Sequence, residues 1–190
     1  YPLRHVVQHS AALDWGNFDI RAQLAQCFRM PVWAGNTMEA RVRGEKWRGL
    51  LQGINHGVAL QIDHEIRMGF LLNGQVYAGK GGAAGRLSSW MLKQTGLADI
   101  ALASRSRRPA IAEQLGLVLI NLSVLLDLEQ VVLSGQVTGE GTDFLQSIQD
   151  IVQEQVSDPP TIVMTGLHED AGILGAVDAV AEMLKQDRGY

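Results

Sequence analysis

Cysteine is nearly absent from this sequence, since Cys27 is the only one in 190 residues. A single thiol can form no disulfide within the chain and cannot build a cysteine-rich zinc site. It also fits a reducing compartment, and the predicted location is the cytoplasm. The composition therefore predicts no disulfide framework and no metal site.

Positive charge and long apolar runs are scarce as well. Lys and Arg number 16 against 20 Asp and Glu, so the formal net charge is −4. Domains that grip nucleic acid usually carry a strong basic excess, so this chain is not itself predicted to bind DNA. No apolar run approaches the ~20 residues that cross a bilayer, and no membrane partner is predicted. The N-terminus has neither a secretory pattern nor an initiator Met, which suggests a chain that begins inside a domain.

The chain does have enough apolar residues, 46%, for one sizeable core or two small ones. Strands and helices alternate in its second half, which is typical of an α/β domain with an at least partly parallel sheet. A boundary near Gly53–Gly57 divides the chain into residues 1–53 and 54–190. Predicted strands lie at His5–Ala12, Val32–Ala34, Val58–Ile62, Phe70–Leu72, Gln130–Gly135 and Thr161–Met164. Predicted helices lie at Phe18–Phe28 (capped by Asp14 or Asn17), 37–51 (capped by Thr37), Ala110–Leu126, 142–156 and Ala171–Lys185 (capped by Asp170).

A hairpin and a glycine-rich stretch are the most informative local features. Asn73-Gly74 lies between apolar runs, and both residues tolerate positive φ, so a tight turn is predicted. Glycines cluster in residues 79–85, which indicates either a closely approached backbone or a flexible loop. The turn before the apolar run Phe70–Leu72, Asp63-His64-Glu65, carries two carboxylates. Because neighbours on a strand point to opposite faces, these three side chains are not predicted to form a metal or acid–base cluster.

Five segments carry strand, turn and glycine patterns in a fixed order along the chain: Met30-Pro31-Val32, Ile62-Asp63-His64 leading to Gly69–Tyr77, Gly81–Gly85, Leu128–Gly135 and Ala171–Ala176. Taken in this order, they resemble the C-terminal portion of the ROK family, which groups bacterial sugar-responsive repressors with sugar kinases. The resemblance runs from about Val6 to the C-terminus. It implies an α/β, actin-like (ribonuclease H-like) fold of the ATPase type, with the end of the N-terminal lobe in 1–53 and the C-terminal lobe in 54–190.

The chain departs from the kinases of this family at the positions that carry chemistry. They have an Asp base after the Asn matched by Asn36, where this chain has Thr37, and a hydroxyl is no general base at neutral pH. After the matched Gly85, the family has a sugar-binding Glu and, three residues later, a zinc-binding His. Arg86 and Ser89 stand there instead. The phosphate turn, Gly-Thr-Gly in the kinases, reads Asp63-His64-Glu65, and the resemblance is closer to the repressor branch.

The resemblance implies a ligand site at Asn36, Gly85 and Arg86, with no catalytic residue, no metal and no cofactor. Asn36 could bind a sugar hydroxyl or simply end a strand before a helix. Arg86 could bind an anion such as a sugar phosphate, or be solvated or paired with a carboxylate. Arg105–Arg108 could contact nucleic acid, although a solvated approach to a helix fits the short run better. The cations Arg41, Arg43, Lys46 and Arg48 are predicted to form one solvated helix face.

The function implied is the effector-sensing and dimerisation portion of a sugar-responsive repressor. In that family a helix-turn-helix lies upstream, so DNA binding would come from a domain not in this chain. The effector would be a sugar or sugar phosphate, and the apolar helix Ala110–Leu126 and the last helix would form a homodimer. Two alternatives remain open: an active kinase that phosphorylates a hexose with ATP, and a scaffold that only dimerises.

Overall fold

The structure, a computed structural model, describes residues 6–10, 14–63, 65–87, 91–92, 95–96, 108–136 and 142–187. Its strands are β1 (Val6–Ser10), β2 (Trp15–Asp19), β3 (Gly57–Ile62), β4 (Ile66–Leu72), β5 (Gln75–Tyr77), β6 (Met91–Leu92), β7 (Thr95–Gly96), β8 (Gln130–Gly135) and β9 (Thr161–Met164). Its helices are α1 (Ile20–Phe28), α2 (Thr37–Arg48), α3 (Arg108–Leu126), α4 (Thr142–Gln153) and α5 (Asp170–Asp187).

A five-stranded sheet in the order β5-β4-β3-β8-β9 is the centre of the fold. β3, β4 and β5 pair antiparallel, whereas β8 pairs parallel to both β3 and β9. The predicted partly parallel sheet is therefore confirmed. Asn73 and Gly74 both have positive φ, at 52° and 67°, so the predicted turn between β4 and β5 is confirmed too.

Helices cover both faces of this sheet. Because side chains alternate along each strand, the two faces form two separate hydrophobic cores. Val58, Leu60 and Ile62 of β3 pack with residues of α3 and α4. Ala59, which points the other way, packs with Met38 and Val42 of α2. α5 lies against α2 on that second face. None of the helices in the described ranges combines the length and apolarity that crossing a bilayer requires.

The first 35 residues differ from the prediction in two places. α1 begins after Asp19, whose Oδ1 accepts the Ala22 N–H at 2.9 Å, so the predicted caps Asp14 and Asn17 and the helical placement of Phe18 are wrong. The predicted strand Val32–Ala34 is also wrong, because a strand needs a backbone partner. The Val32 carbonyl instead accepts a hydrogen bond from the side chain of Arg21 at 3.1 Å.

α2 is a charged helix that is largely buried, which contradicts the predicted solvated face. Arg41 is only 3% exposed and donates to the His168 carbonyl (2.8 Å) and to Glu169 (2.7 Å). Arg43 is half-buried and pairs with Glu182 of α5 at 2.8 Å. Of the four cations predicted to be solvated, only Lys46 and Arg48 are exposed. The prediction fails because α5 covers this face and, with the turn before it, supplies the partners.

The helices of the second half begin and end close to the predicted places. α3 contains the whole predicted segment Ala110–Leu126, and α4 ends at Gln153 rather than Val156. Asp170 is the first residue of α5 rather than its cap. The division into 1–53 and 54–190 stays a prediction, and we note that α2, before that boundary, packs on β3 and β4, after it.

Glu129 fixes the turn that leads into β3. One oxygen of its carboxylate, Oε1, accepts the backbone N–H groups of Asn55 and His56, each at 2.8 Å. Both hydrogen bonds favour the charged form of the Glu129 carboxylate, and the bond from the His56 N–H has the larger effect on its pKa. The pKa of Glu129 is therefore lowered from its ordinary value of 4.5.

We expect this carboxylate to make stability depend on pH. Because its pKa is lower in the folded chain than in the unfolded chain, it stabilises the fold above pH 4.5, and that contribution is lost as the pH falls through the folded pKa. Glu129→Gln keeps an acceptor oxygen but removes the charge. Calorimetry from about pH 7 to about pH 3 should show a Tm difference between the two chains that is largest at neutral pH and shrinks in acid. A difference that does not change with pH would contradict the assignment.

Candidate functional site

A cavity of about 460 Å³ opens between the N-terminus of α2, β4 and the glycine-rich loop 79–85. It brings together all the predicted site residues, although they lie up to 50 positions apart in sequence. The lining residues used below are Asn36, Thr37, Met38, Glu65, Arg67, Met68, Gly82, Gly85 and Arg86.

Asn36 is the N-cap of α2, a role that the prediction gave to Thr37. Its Oδ1 accepts the Glu39 N–H at 2.7 Å, and its Nδ2 donates to the Gly82 carbonyl at 2.8 Å. The side chain therefore joins the helix to the glycine-rich loop, which agrees with the structural alternative for this residue. One amide hydrogen and one lone pair remain for a ligand.

Thr37 is the first residue of α2, and its exposed side chain lines the cavity. The N–H groups of Thr37 and Met38 belong to the first helical turn and have no partner within the helix. These donors, together with the helix dipole, give this end of the cavity a partial positive charge.

Gly85 allows the loop to lie directly against β4. Its φ is +82°, and an added Cβ would come within 1.8 Å of the Met68 carbonyl oxygen. The Met68 N–H in turn donates to the Gly85 carbonyl at 2.9 Å. Only glycine fits here, and this contact fixes where the next residue, Arg86, enters the cavity.

Arg86 lies opposite Arg67 in an isolated antiparallel bridge between the loop and β4. The Nε and one terminal nitrogen of Arg67 both donate to Glu65 Oε2, at 3.0 and 2.8 Å. Arg86 is exposed and has no ion-pair partner among the residues that the structure describes. Sequence reasoning missed Arg67 and Glu65 as cavity residues, because only the register of this bridge places them beside Arg86.

The turn between β3 and β4 contains Asp63, the first residue of the segment that the family resemblance matched to the phosphate turn of the kinases. Asp63 Oδ1 accepts the backbone N–H of Gln136 at 2.8 Å, and its Oδ2 accepts from Gln61 at 2.5 Å. A Cβ on Gly135, whose φ is +91°, would come within 2.6 Å of Asp63 Oδ1. The Asp63 carboxylate thus accepts the Gln136 N–H of the loop after β8, so this donor is not free for another acceptor. Asp63 and Glu65 bind different partners, since Asp63 accepts from Gln136 and Gln61 whereas Glu65 accepts from Arg67.

Some predicted positions lie outside the described residues: His64, Ser89, and the run 105–107 within Arg105–Arg108. Within the described ranges, no three His, Cys, Asp or Glu side chains lie close enough together to hold a metal ion.

Comparison with known proteins gives a family match and a curated relative. The model of the ROK family matches residues 3–98. The xylose repressor of Caldicellulosiruptor bescii is 28% identical over 75 residues, which are 40% of this chain and 19% of that repressor. The match therefore spans about a fifth of the length of that curated relative.

Solved structures of two kinds share the fold. A ROK family glucokinase from Streptomyces griseus, in complex with glucose and AMPPNP, has a TM-score of 0.73 at 16% identity, over 94% of this chain and 77% of that chain. A ROK family transcriptional regulator, a homologue of the E. coli MLC protein, has a TM-score of 0.75 at 18% identity, over 91% of this chain and 57% of that chain. These likenesses confirm the predicted actin-like α/β fold, and at such identities they bear on the fold alone.

Proposed function

This chain belongs to the ROK family, as its sequence predicts, and from that premise we propose that it is the effector-sensing and dimerisation portion of a transcriptional regulator without phosphoryl-transfer activity. The observation that carries the proposal is the hydroxyl of Thr37 at the cavity, where a kinase of the family needs a carboxylate. A threonine hydroxyl cannot accept a proton from a sugar at neutral pH.

The turn between β3 and β4 supports the same proposal. Free backbone N–H groups in a glycine-rich turn bind phosphate. In this turn the Asp63 carboxylate already accepts the Gln136 N–H, and a phosphate placed beside it would meet a negative charge. The residues present therefore do not fit a nucleotide phosphate, and we propose no step through one.

The remaining parts of the proposal concern the whole protein. DNA would be bound by a domain not in this chain, and the chain would act in the cytoplasm. A homodimer would form through its second half, where Val124 and Leu125 at the end of α3 are 75% and 76% exposed. Binding of a sugar-type effector in the cavity would shift the population of dimers that can bind DNA.

A kinase is the second candidate, because the cavity does contain one carboxylate. Glu65 lies on the cavity wall and could in principle accept a proton. Two nitrogens of Arg67 donate to its Oε2, however, so this carboxylate is already engaged by the arginine beside it.

Turnover of ATP distinguishes the two candidates. We expect the purified protein to show no sugar-dependent ADP release with hexoses, pentoses or N-acetylhexosamines, in a coupled assay calibrated with an authentic glucokinase. Thr37→Asp should not create activity, since the Asp63 carboxylate remains in the turn where the kinases have glycine. Sugar-dependent turnover that Glu65→Gln abolishes would replace the regulator by the kinase. Turnover that survives in Glu65→Gln would also refute the regulator.

A further inference from the structure

We propose that the effector of this cavity is an anionic monosaccharide, bearing a phosphate or a carboxylate, and that Arg86 and Arg67 bind its charged group. This inference rests on the proposed sensing function and narrows the class of ligand. It concerns the chemistry of the cavity wall, where the two guanidinium groups lie on paired backbones.

Two positive charges face each other at the bridge between Arg67 and Arg86. Residues directly opposite each other in an antiparallel pair have Cβ atoms about 4.5–5.5 Å apart, and like charges at that distance destabilise the pair. The Glu65 carboxylate neutralises one of the two charges, because it forms an ion pair with Arg67. Arg86 is left without an ion-pair partner among the described residues, so the described lining of the cavity carries more positive than negative charge at this bridge. An anion bound between the two arginines would remove this repulsion.

Two sides of the cavity present hydrogen-bond donors. A guanidinium group only donates hydrogen bonds and forms a fork that matches phosphate and carboxylate oxygens. The first-turn N–H groups of Thr37 and Met38 also only donate, and they carry the positive end of the α2 dipole. The donors on two sides of the cavity therefore select a ligand that is rich in acceptors.

The acceptors at the cavity select the other half of the ligand. Asn36 keeps one lone pair on its amide oxygen, and the Thr37 hydroxyl can donate or accept. Such groups suit sugar hydroxyls. Glu39, in the first turn of α2, is a buried carboxylate. Its Oε2 lies close to Gly35, and its Oε1 is 3.7 Å from the Nε of Arg43. A volume of about 460 Å³ is large enough for one substituted monosaccharide.

Calorimetric titration of the purified chain tests the proposal with matched ligands. The probes are glucose, xylose and N-acetylglucosamine, the phosphates of these sugars, glucuronate, and inorganic phosphate. We expect at least one sugar phosphate or the sugar acid to bind more tightly than its neutral parent and more tightly than inorganic phosphate. Its affinity should fall with rising salt concentration.

Arg86→Gln should weaken binding of the anionic sugar about tenfold or more, since a charge-assisted contact is lost. Arg48→Gln is the matched control, because Arg48 is an exposed cation at the far end of α2, and it should leave the affinity unchanged. Arg86→Glu, which restores the residue type of the resembling family, should abolish binding of the anionic sugar. The Tm of each variant should equal that of the parent chain, because Arg86 and Arg48 are both exposed. A change in affinity then reports on binding and not on folding.

The outcomes separate this inference from the proposed function. If a neutral sugar binds as tightly as its phosphate, or if Arg86→Gln leaves the affinity unchanged, the anionic ligand is refuted while the sensor stands. If inorganic phosphate binds as tightly as the sugar phosphate, the cavity is an anion site and the sugar specificity is refuted. If no sugar of either kind binds, the sensing function fails as well.

Discussion

Replacing Gly175 by alanine is expected to lower the free energy of unfolding by about 3 kcal/mol, although the change adds one methyl group. The added Cβ would lie 1.7 Å from the carbonyl oxygen of Ala40 and 2.8 Å from the backbone nitrogen of Gly44. Both are backbone atoms of α2 and cannot rotate away as a side chain would. The two helices must therefore separate, which loosens the packing around both of them.

Gly172, one turn earlier on α5, provides a matched control for this substitution. A Cβ there would meet only the Cγ of Arg41, at 4.0 Å, which is ordinary contact. Gly172→Ala should stabilise the chain by about 0.5–1 kcal/mol, because alanine loses less backbone entropy in a helix. The two alanine variants thus have opposite signs. Thermal unfolding should place the Tm of Gly175→Ala about 6–12 °C below that of the parent chain.

An equal Tm for the two alanine variants would contradict this close helix crossing. A second position checks the same contact from the other helix. A Cβ on Gly44 would lie 1.9 Å from the carbonyl oxygen of Ala171, so Gly44→Ala should also destabilise the chain. Because both substitutions open one interface, their effects should not add in the double variant.

The parts of the fold that the sequence predicts correctly are those with strong local signals. Gln130–Gly135 and Thr161–Met164 are short apolar runs bounded by turn residues, and both form strands with the predicted bounds. The Asn73-Gly74 turn is confirmed for the same reason, since its signal lies in two adjacent residues.

The parts that fail depend on partners far along the chain. The side chain of Arg41 donates to the carbonyl of His168 and to Glu169, more than 120 positions away. Nothing within α2 itself indicates that this charge is buried. The incorrect strand at Val32–Ala34 has a related cause, because strand propensity becomes a strand only when a neighbouring backbone is in register.

The candidate site was predicted in part. Asn36, Thr37, Gly85 and Arg86 follow from the family resemblance, and the structure brings them to one cavity. Arg67, the other cation of that cavity, could not be predicted. Its place there depends on its bridge with Arg86, and that pairing is set by the contact of Gly85 with Met68 rather than by any pattern in β4.

Glu45 is another buried charged residue of α2, and its carboxyl group connects the end of that helix to the turn after β9. The residue is only 2% exposed. Its Oε2 accepts the Leu50 N–H at 2.9 Å, and its Oε1 accepts the hydroxyl of Thr165. Thr165 Oγ1 in turn accepts the Leu167 N–H at 3.0 Å, so one carboxyl group organises two turns.

Glu45→Leu keeps most of the volume and should lower the free energy of unfolding by about 3–4 kcal/mol, because it leaves the Leu50 N–H and the Thr165 hydroxyl without acceptors. Adding Thr165→Val removes one of these stranded donors, so in urea unfolding the double variant should be about 1–2 kcal/mol more stable than the sum of the single effects. Glu113→Leu, at an exposed position of α3, is the control and should change stability by less than about 0.5 kcal/mol. Strictly additive effects of Glu45→Leu and Thr165→Val would refute the coupling, because the penalty would then come from the lost charge rather than from unsatisfied donors.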